Sequence, residues 1–304
     1  KIGGIIIFNF KKITLEDKSF FDNFFQQKRF ETSEATFANL YMWRNCFMIE
    51  WDFFQGIVAL KPEINGQASI VPLVGKDFNN LEMFLDQCIK YFKDRDLPFL
   101  LRGVTKDVIE QIEETKPNTF DFQLNREVSD YLYSAETLIT LRGRKLSRKR
   151  NHIKNFKKNN PDYKYTDLTE DLIPEAIEFI KEWCRKKGCK DDEDLRCERD
   201  AAIEALKNFK ILGLTGGVIL IDGKIEGLTF GEALNSDTVI IHVEKGNADI
   251  NGIYPVINQD YLLHNWQEMK FVNREEDMGI PELRKAKESY YPLGLVEKYT
   301  VTLK

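Results

Sequence analysis

A chain of 304 residues exceeds what one hydrophobic core ordinarily covers, so two packed units of roughly 150 residues are expected. Apolar residues at 42% and charged residues at 31%, with 22 Phe and 11 Tyr, exclude a disordered or collagenous chain. The net charge is −5, and the longest purely apolar runs, such as Ile5–Phe8 and Val218–Ile221, fall far short of the ~20 residues that span a bilayer, so no membrane-crossing segment is expected.

In the first half, FQGIVAL at 54–60 and QASIVPLVG at 67–75 flank the turn-forming PEING and predict two strands joined by a loop. The next segment, 81–96, spaces Leu81, Phe84, Leu85, Cys88, Ile89 and Phe92 as one buried helix face. LPFLLRG at 97–103 then predicts a strand, VTKDVIEQIEETK at 104–116 a helix, and SDYLYSAETLITL at 129–141 a strand that completes the unit. Residues 142–158 hold nine Lys or Arg and no acid, so the rest of the chain stands at −14 against the total of −5. On a helix, Leu146, Ile153 and Phe156 share one stripe that docks on the body, with the cations around it. Arg144, Lys145, Arg148, Lys149 and Arg150 are the candidate polyanion-binding residues, on a segment read either as a solvated linker or as an anion-binding surface for tRNA, a CoA phosphate or lipid headgroups; the alternative to an enzyme is a non-catalytic binding module that engages RNA or another polyanion through it.

A capped helix is predicted in 166–188. GGVILI, the turn Asp222-Gly223 and IEGLTFGEAL follow as a hairpin over 216–234. TVIIHVEKGN supplies another strand, and 253–269 repeats the helical pattern with Ile253, Val256, Ile257, Tyr261, Leu262 and Trp266. KFVNREED and IPELRKAKESYY match the strand and helix of the first half. One order of elements therefore occurs twice, at a separation of roughly 160 to 175 residues, and predicts two similar mixed α/β domains, 1–150 and 151–304.

Three strings, ETSEATFANLYMWR at 31–44, DYLYSAETLITLRGRKLSRKRNHIKNF at 130–156 and VNREEDMGIPELRKAKESYYP at 272–292, resemble the phosphatidylglycerol lysyltransferase C-terminal-domain family, related to the Fem-type aminoacyl transferases. The resemblance spans nearly the whole chain. It implies mixed α+β sheets in two tandem GNAT-like acyltransferase domains, and transfer of an acyl or aminoacyl group from CoA or charged tRNA to an amine or hydroxyl. This chain shows no counterpart of the transmembrane portion that the lysyltransferases carry.

An acyl-CoA donor presents a pyrophosphate, which a helix start binds through free N–H groups. The segment 244–254 joins a predicted strand to a helix, so Lys245, Gly246, Asn247, Ile250, Asn251, Gly252 and Ile253, with Asn273 nearby, are the candidate donor-binding residues. The strand after it is expected to put Asn273, Glu275 and Asp277 on one face. Asp277 is the first candidate to bind or deprotonate the acceptor, with Glu244 and Glu232 as alternatives. In the resemblance, Tyr290 or Tyr291 protonates a departing thiolate. His242, in VIIHVE, is read as a packed strand residue, and His152 and His264 carry no assigned role. No nucleophile elbow or phosphate loop is present, so direct transfer in a ternary complex is expected, with no metal. Cys46, Cys88, Cys184, Cys189 and Cys197 form an odd set without a C-x-x-C pair, which points to a reducing cytoplasm.

Overall fold

The computed structural model describes residues 8–304, so the apolar run Ile5–Phe8 lies outside it except for Phe8. The elements used below are, in the first half, β1 (Glu50–Phe54), β2 (Ile57–Lys61), β3 (Val71–Val74), α1 (Leu81–Lys93), β4 (Leu101–Val104), α2 (Lys106–Thr115), β5 (Phe120–Leu124) and β6 (Asp130–Ser134). They continue with α3 (Ser147–Asn159), β7 (Lys164–Asp167), α4 (Ile173–Lys187), α5 (Glu193–Lys207), β8 (Thr215–Ile221), β9 (Lys224–Asn235) and β10 (Thr238–Gly246). The last are α6 (Ile253–Asn265), β11 (Phe271–Asn273), α7 (Pro281–Glu288), β12 (Gly294–Val296) and β13 (Tyr299–Leu303).

The chain forms mixed α/β sheets in two compact units, as expected, but they are not divided at residue 150. Among the described residues, the first comprises 8–130, 276–279 and 296–304, and the second 131–275 and 280–295. Strand pairing explains the difference. In the first unit β13, from the end of the chain, lies between β4 and β5, while in the second β6 lies between β11 and β12. The strand expected to close the first half thus belongs almost wholly to the second unit, and the last strand returns to the first.

The first unit has an antiparallel sheet in the order Lys11–Lys12, β1, β2, β3 and a second sheet in the order β4, β13, β5. Gln55 and Gly56 both have positive φ, the conformation of a tight hairpin turn, and join β1 to β2. The expected face of α1 is buried at Leu81, Phe84, Leu85, Cys88 and Phe92, with Ile89 partly so. Strand β1, EWDFF, was not read from the sequence. With it in place the repeated order becomes hairpin, strand, helix, strand, helix, strand in both halves, so the sequence echo had been aligned one strand late.

The second unit is built on a seven-stranded sheet in the order β7, β8, β9, β10, β11, β6, β12. The β8–β9 hairpin turns at Asp222-Gly223, both with positive φ, as their sequence predicts. Helix α6 buries Ile253, Val256, Ile257, Tyr261 and Leu262 in the core of this unit, and α3 docks through Leu146, Ile153 and Phe156 as the apolar stripe requires. Strands β10 and β11 are parallel and pair only at Thr238–Phe271, Val239–Val272 and Ile240–Asn273. Beyond that, β10 runs on to Gly246 while β11 ends at Asn273 and the backbone turns through Glu275, whose φ is +55. Two parallel strands that part at their carboxyl ends leave the crevice where open α/β sheets bind ligands.

Candidate functional site

The parting strands bring together side chains from six parts of the second unit. Glu244 projects from β10, and its two carboxylate oxygens are held separately. Oε1 is 2.8 Å from Arg274 Nη2, just past β11, and Oε2 accepts a 2.7 Å hydrogen bond from Asn258 Nδ2 on α6. Arg274 lies against two aromatic rings, with its guanidinium carbon 4.9 Å from the centre of Tyr290 and 5.6 Å from that of Tyr133. Lys149, on α3, places its ammonium 3.7 Å from the centre of the Tyr290 ring. Three candidates that the sequence assigned to different tasks, Glu244, Tyr290 and Lys149, therefore share one cluster.

Backbone contacts fix this arrangement. The Lys287 ammonium, buried beneath α7, donates to the carbonyl oxygens of Arg274 and Glu275, and the Tyr133 hydroxyl donates to the Lys287 carbonyl at 2.9 Å. Burial pushes the Tyr290 and Tyr133 hydroxyls well above the usual tyrosine value, against the opposing charge of Arg274, so both stay protonated at neutral pH. Burial and the neighbouring Arg274 charge lower Lys149 to about 8, which leaves a sizeable neutral fraction near physiological pH.

His242 lies nearby on β10 and is fully buried, with Nδ1 2.8 Å from Glu275 and Nε2 3.0 Å from Glu232. Burial opposes a charged ring, but the two carboxylates outweigh it and lift the imidazole to about 9. The sequence reading of a packed strand residue holds for burial and misses the charge. A bulge accounts for the placement: Phe230 pairs with Val243 and Gly231 with Ile241, which leaves His242 as the extra residue.

In the donor cradle expected at 244–254, four backbone amides have acceptors within the protein. The N–H groups of Asn247, Ile250 and Ile253 donate to the carbonyls of Glu226, Asn247 and Ile250, and that of Asp249 to the Asn247 side chain. Asn251 meets His152 at 3.2 Å, and Lys186 reaches Asn247 and Asp249. Gly246 and Gly252 serve packing, since a Cβ would stand 2.7 Å from Ile253 at the first and 2.6 Å from the His152 carbonyl at the second. Lys245 pairs with Glu198 and lies over the Trp183 ring, and the side chain of buried Asn273 caps the Glu275 N–H. The amides of Asn247, Asp249, Ile250 and Ile253 are thus spent inside the protein.

Asp277 also leaves the candidate list. The predicted strand ends at Asn273, so Asn273, Glu275 and Asp277 do not line one face, and Asp277 falls in the first unit. There it is fully buried, pairs with Arg126 and accepts the Gly279 N–H at 2.9 Å. In the basic segment Arg144, Lys145 and Arg148 are exposed, whereas Arg150 donates to the Leu141 and Gly143 carbonyls and stabilises the preceding turn. Cys184 and Cys189 are joined by a disulfide that the sequence reading did not pair, and Cys88 is a buried free thiol.

Arg274 and Asn258 were missed. Asn258 carried a signal, being a polar residue on an otherwise apolar helix face beside Ile257, Tyr261 and Leu262. Arg274 carried only its position after a strand, among acids that drew the attention. Among the described residues, no group of three or more His, Cys, Asp or Glu is placed to hold a metal ion, and no helix is long and apolar enough to cross a membrane.

Comparison with known proteins places the chain in a family. The model described as phosphatidylglycerol lysyltransferase, C-terminal, matches residues 25–302, and the chain belongs to that family. Its fold is similar to that of a conserved protein of unknown function from Bacteroides thetaiotaomicron VPI-5482, at 36% identity and a TM-score of 0.90, covering 98% of this chain and all of that one. L-PGS from Bacillus licheniformis shares the fold at 11% identity and a TM-score of 0.64, over 94% of this chain and 91% of its own. An uncharacterised protein of Mycoplasmoides gallisepticum is 26% identical over 206 residues, 66% of this chain, and the match spans 65% of that relative's length.

Proposed function

We propose that the chain is an acyl or aminoacyl transferase that works by direct transfer, with its site where β10 and β11 part. Family membership supports transfer of this general kind. The observation that carries the reading is the convergence of Glu244, Arg274, Tyr290 and Lys149 at that crevice. We infer a CoA thioester or an aminoacyl-tRNA as donor, an amine or a hydroxyl as acceptor, and action in the cytoplasm, where both donors are made.

The acceptor nitrogen or oxygen attacks the donor carbonyl, the new C–N or C–O bond forms, and the donor's C–S or C–O bond breaks. The acceptor's proton must leave and the departing sulfur or oxygen must gain one. Glu244 keeps a second lone pair on each bonded oxygen and orients the acceptor N–H or O–H. The neutral fraction of Lys149 takes the proton, and the Tyr290 hydroxyl supplies one to the leaving group. Arg274 is held rigidly by Glu244 and stabilises the negative charge that develops on the carbonyl oxygen.

The test is a transfer assay with radiolabelled acetyl-CoA and lysyl-tRNA against amine and hydroxyl acceptors, run beside thermal melts with each donor. A saturable stabilisation by one donor is expected, together with loss of turnover in Tyr290→Phe and Glu244→Gln at unchanged fold. A tRNA donor adds a steep salt dependence that Arg148→Glu flattens. Absence of any donor-induced shift and of any transfer sinks the proposal.

A further inference from the structure

The first unit ends its sheet on an unpaired edge. Strand β5 bonds β13 on one side and, among the described residues, no strand on the other. Two bonds at its ends, from the Asn125 N–H to the Lys298 carbonyl and from the Lys304 N–H to the Thr119 carbonyl, fix which of its residues face β13. Antiparallel pairing alternates, so Asp121 and Gln123 bond β13 as well, while the N–H and C=O groups of Phe120, Phe122 and Leu124 point away from it. None of these outward groups has a hydrogen-bond partner among the described residues, and Leu124 is 44% exposed. A groove runs between this strand and α2. Ile109 and Phe122 give it an apolar floor, and Glu110, Glu113, Glu114 and Asp121 line it with four carboxylates against the one ammonium of Lys304. Glu113 and Glu114 accept only from neutral groups, the Asn118 N–H and the Gln111 amide, and no ion pair reaches any of the four among the described residues.

We propose that this edge docks an extended, basic segment of a partner protein, which joins the sheet as a further strand beside β5. The unpaired backbone supplies the bonds and the acids select the occupant. A strand laid against β5 turns every second side chain toward α2. A Lys or Arg at those positions rests its methylenes on Phe122 and Ile109 and sets its charge among the carboxylates. A second copy of this chain, paired β5 to β5, brings two acidic rims together, and like charges across strands oppose that pairing. The basic segment of the chain itself is not the occupant, because 147–159 is already helix α3 with its apolar side buried. Acids at a sheet edge also discourage indiscriminate pairing, and the experiment below separates that role from recognition. The site lies in the first unit and does not rest on the transferase reading.

The probe is a fluorescein-labelled peptide of alternating Lys and Thr, and the control is a Lys-Pro peptide of equal length and charge, which lacks every second N–H and cannot lie as a strand. Anisotropy is expected to show saturable binding of the Lys-Thr peptide, about tenfold or more tighter than the control, as loss of two or more backbone hydrogen bonds implies. Amide hydrogen exchange over 119–125, read by mass spectrometry, is expected to slow when the Lys-Thr peptide saturates. Leu124→Pro removes an outward N–H and leaves the β13 bonds in place, so it is expected to abolish that slowing. Glu110→Gln combined with Glu114→Gln, on the exposed side of α2, is expected to weaken binding about threefold or more and to flatten its salt dependence. Thermal melts check that each variant folds, and the Gln pair decides the matter where Leu124→Pro does not. Equal binding of the two peptides, unchanged exchange over 119–125, or undiminished affinity in the Gln pair overturns the proposal. Self-association of the native protein that Leu124→Pro abolishes overturns it in favour of a second copy.

Discussion

The His242 ring offers a direct test of the electrostatics of the second unit, because a buried imidazole between two carboxylates must hold its proton to a higher pH than a free one. Its value rises from 6.5 in the unfolded chain to about 9 in the fold, and at about 1.4 kcal/mol per unit that rise is worth about 3 kcal/mol of stability. Since the folded value is the higher one, the contribution is complete below pH 6.5 and is lost as pH climbs through 9. The variant His242→Gln keeps a polar side chain and cannot carry the charge. Urea unfolding followed by tryptophan fluorescence at intervals from pH 6 to pH 10 is expected to show the gap between native protein and variant shrinking by about 3 kcal/mol over that range. Taking the difference cancels the titration of groups common to both proteins. NMR of the ring protons then gives the titration directly. A gap that does not change with pH, or a ring that titrates at or below 6.5, refutes the reasoning.

Two further outcomes follow from the packing. Lys298 is almost fully buried in the first unit, with its ammonium 2.9 Å from Asp130, 2.8 Å from Glu34 and 2.9 Å from the Ser33 hydroxyl. Lys298→Met removes the ammonium that neutralises the buried Asp130 carboxylate and is expected to cost about 3–5 kcal/mol, measured by denaturant unfolding, with partial recovery on adding Asp130→Asn; a cost under about 1 kcal/mol contradicts this account. Gly252→Ala is expected to destabilise by about 2 kcal/mol or more, because φ is +90 there and the new Cβ meets the His152 carbonyl of α3 at 2.6 Å. A thermal melt of that variant matching the native one would return Gly252 to the role of an open ligand-facing turn.

What the sequence determined on its own was whatever depends on short-range pattern. The apolar spacing of 81–92 and 253–262 marked two buried helix faces, Asp222-Gly223 marked its turn, and Leu146, Ile153 and Phe156 marked the docked side of a basic helix. Each of these features is set by residues within a few turns of one another. Glu244 and Tyr290 were legible as chemical residue types at strand and helix ends. Tertiary structure decided which of the candidates meet. Asp277 was separated from Glu244 because the chain leaves the sheet at Glu275, and Lys149 moved from the solvated face of its helix to the Tyr290 ring. The unit boundary shifted because β6 and β13 pair with strands far away in sequence, and four amides of the supposed cradle found acceptors inside the fold. Contacts of this kind depend on long-range strand register and on hydrogen-bond partners dozens of residues distant, and local periodicity carries no record of either.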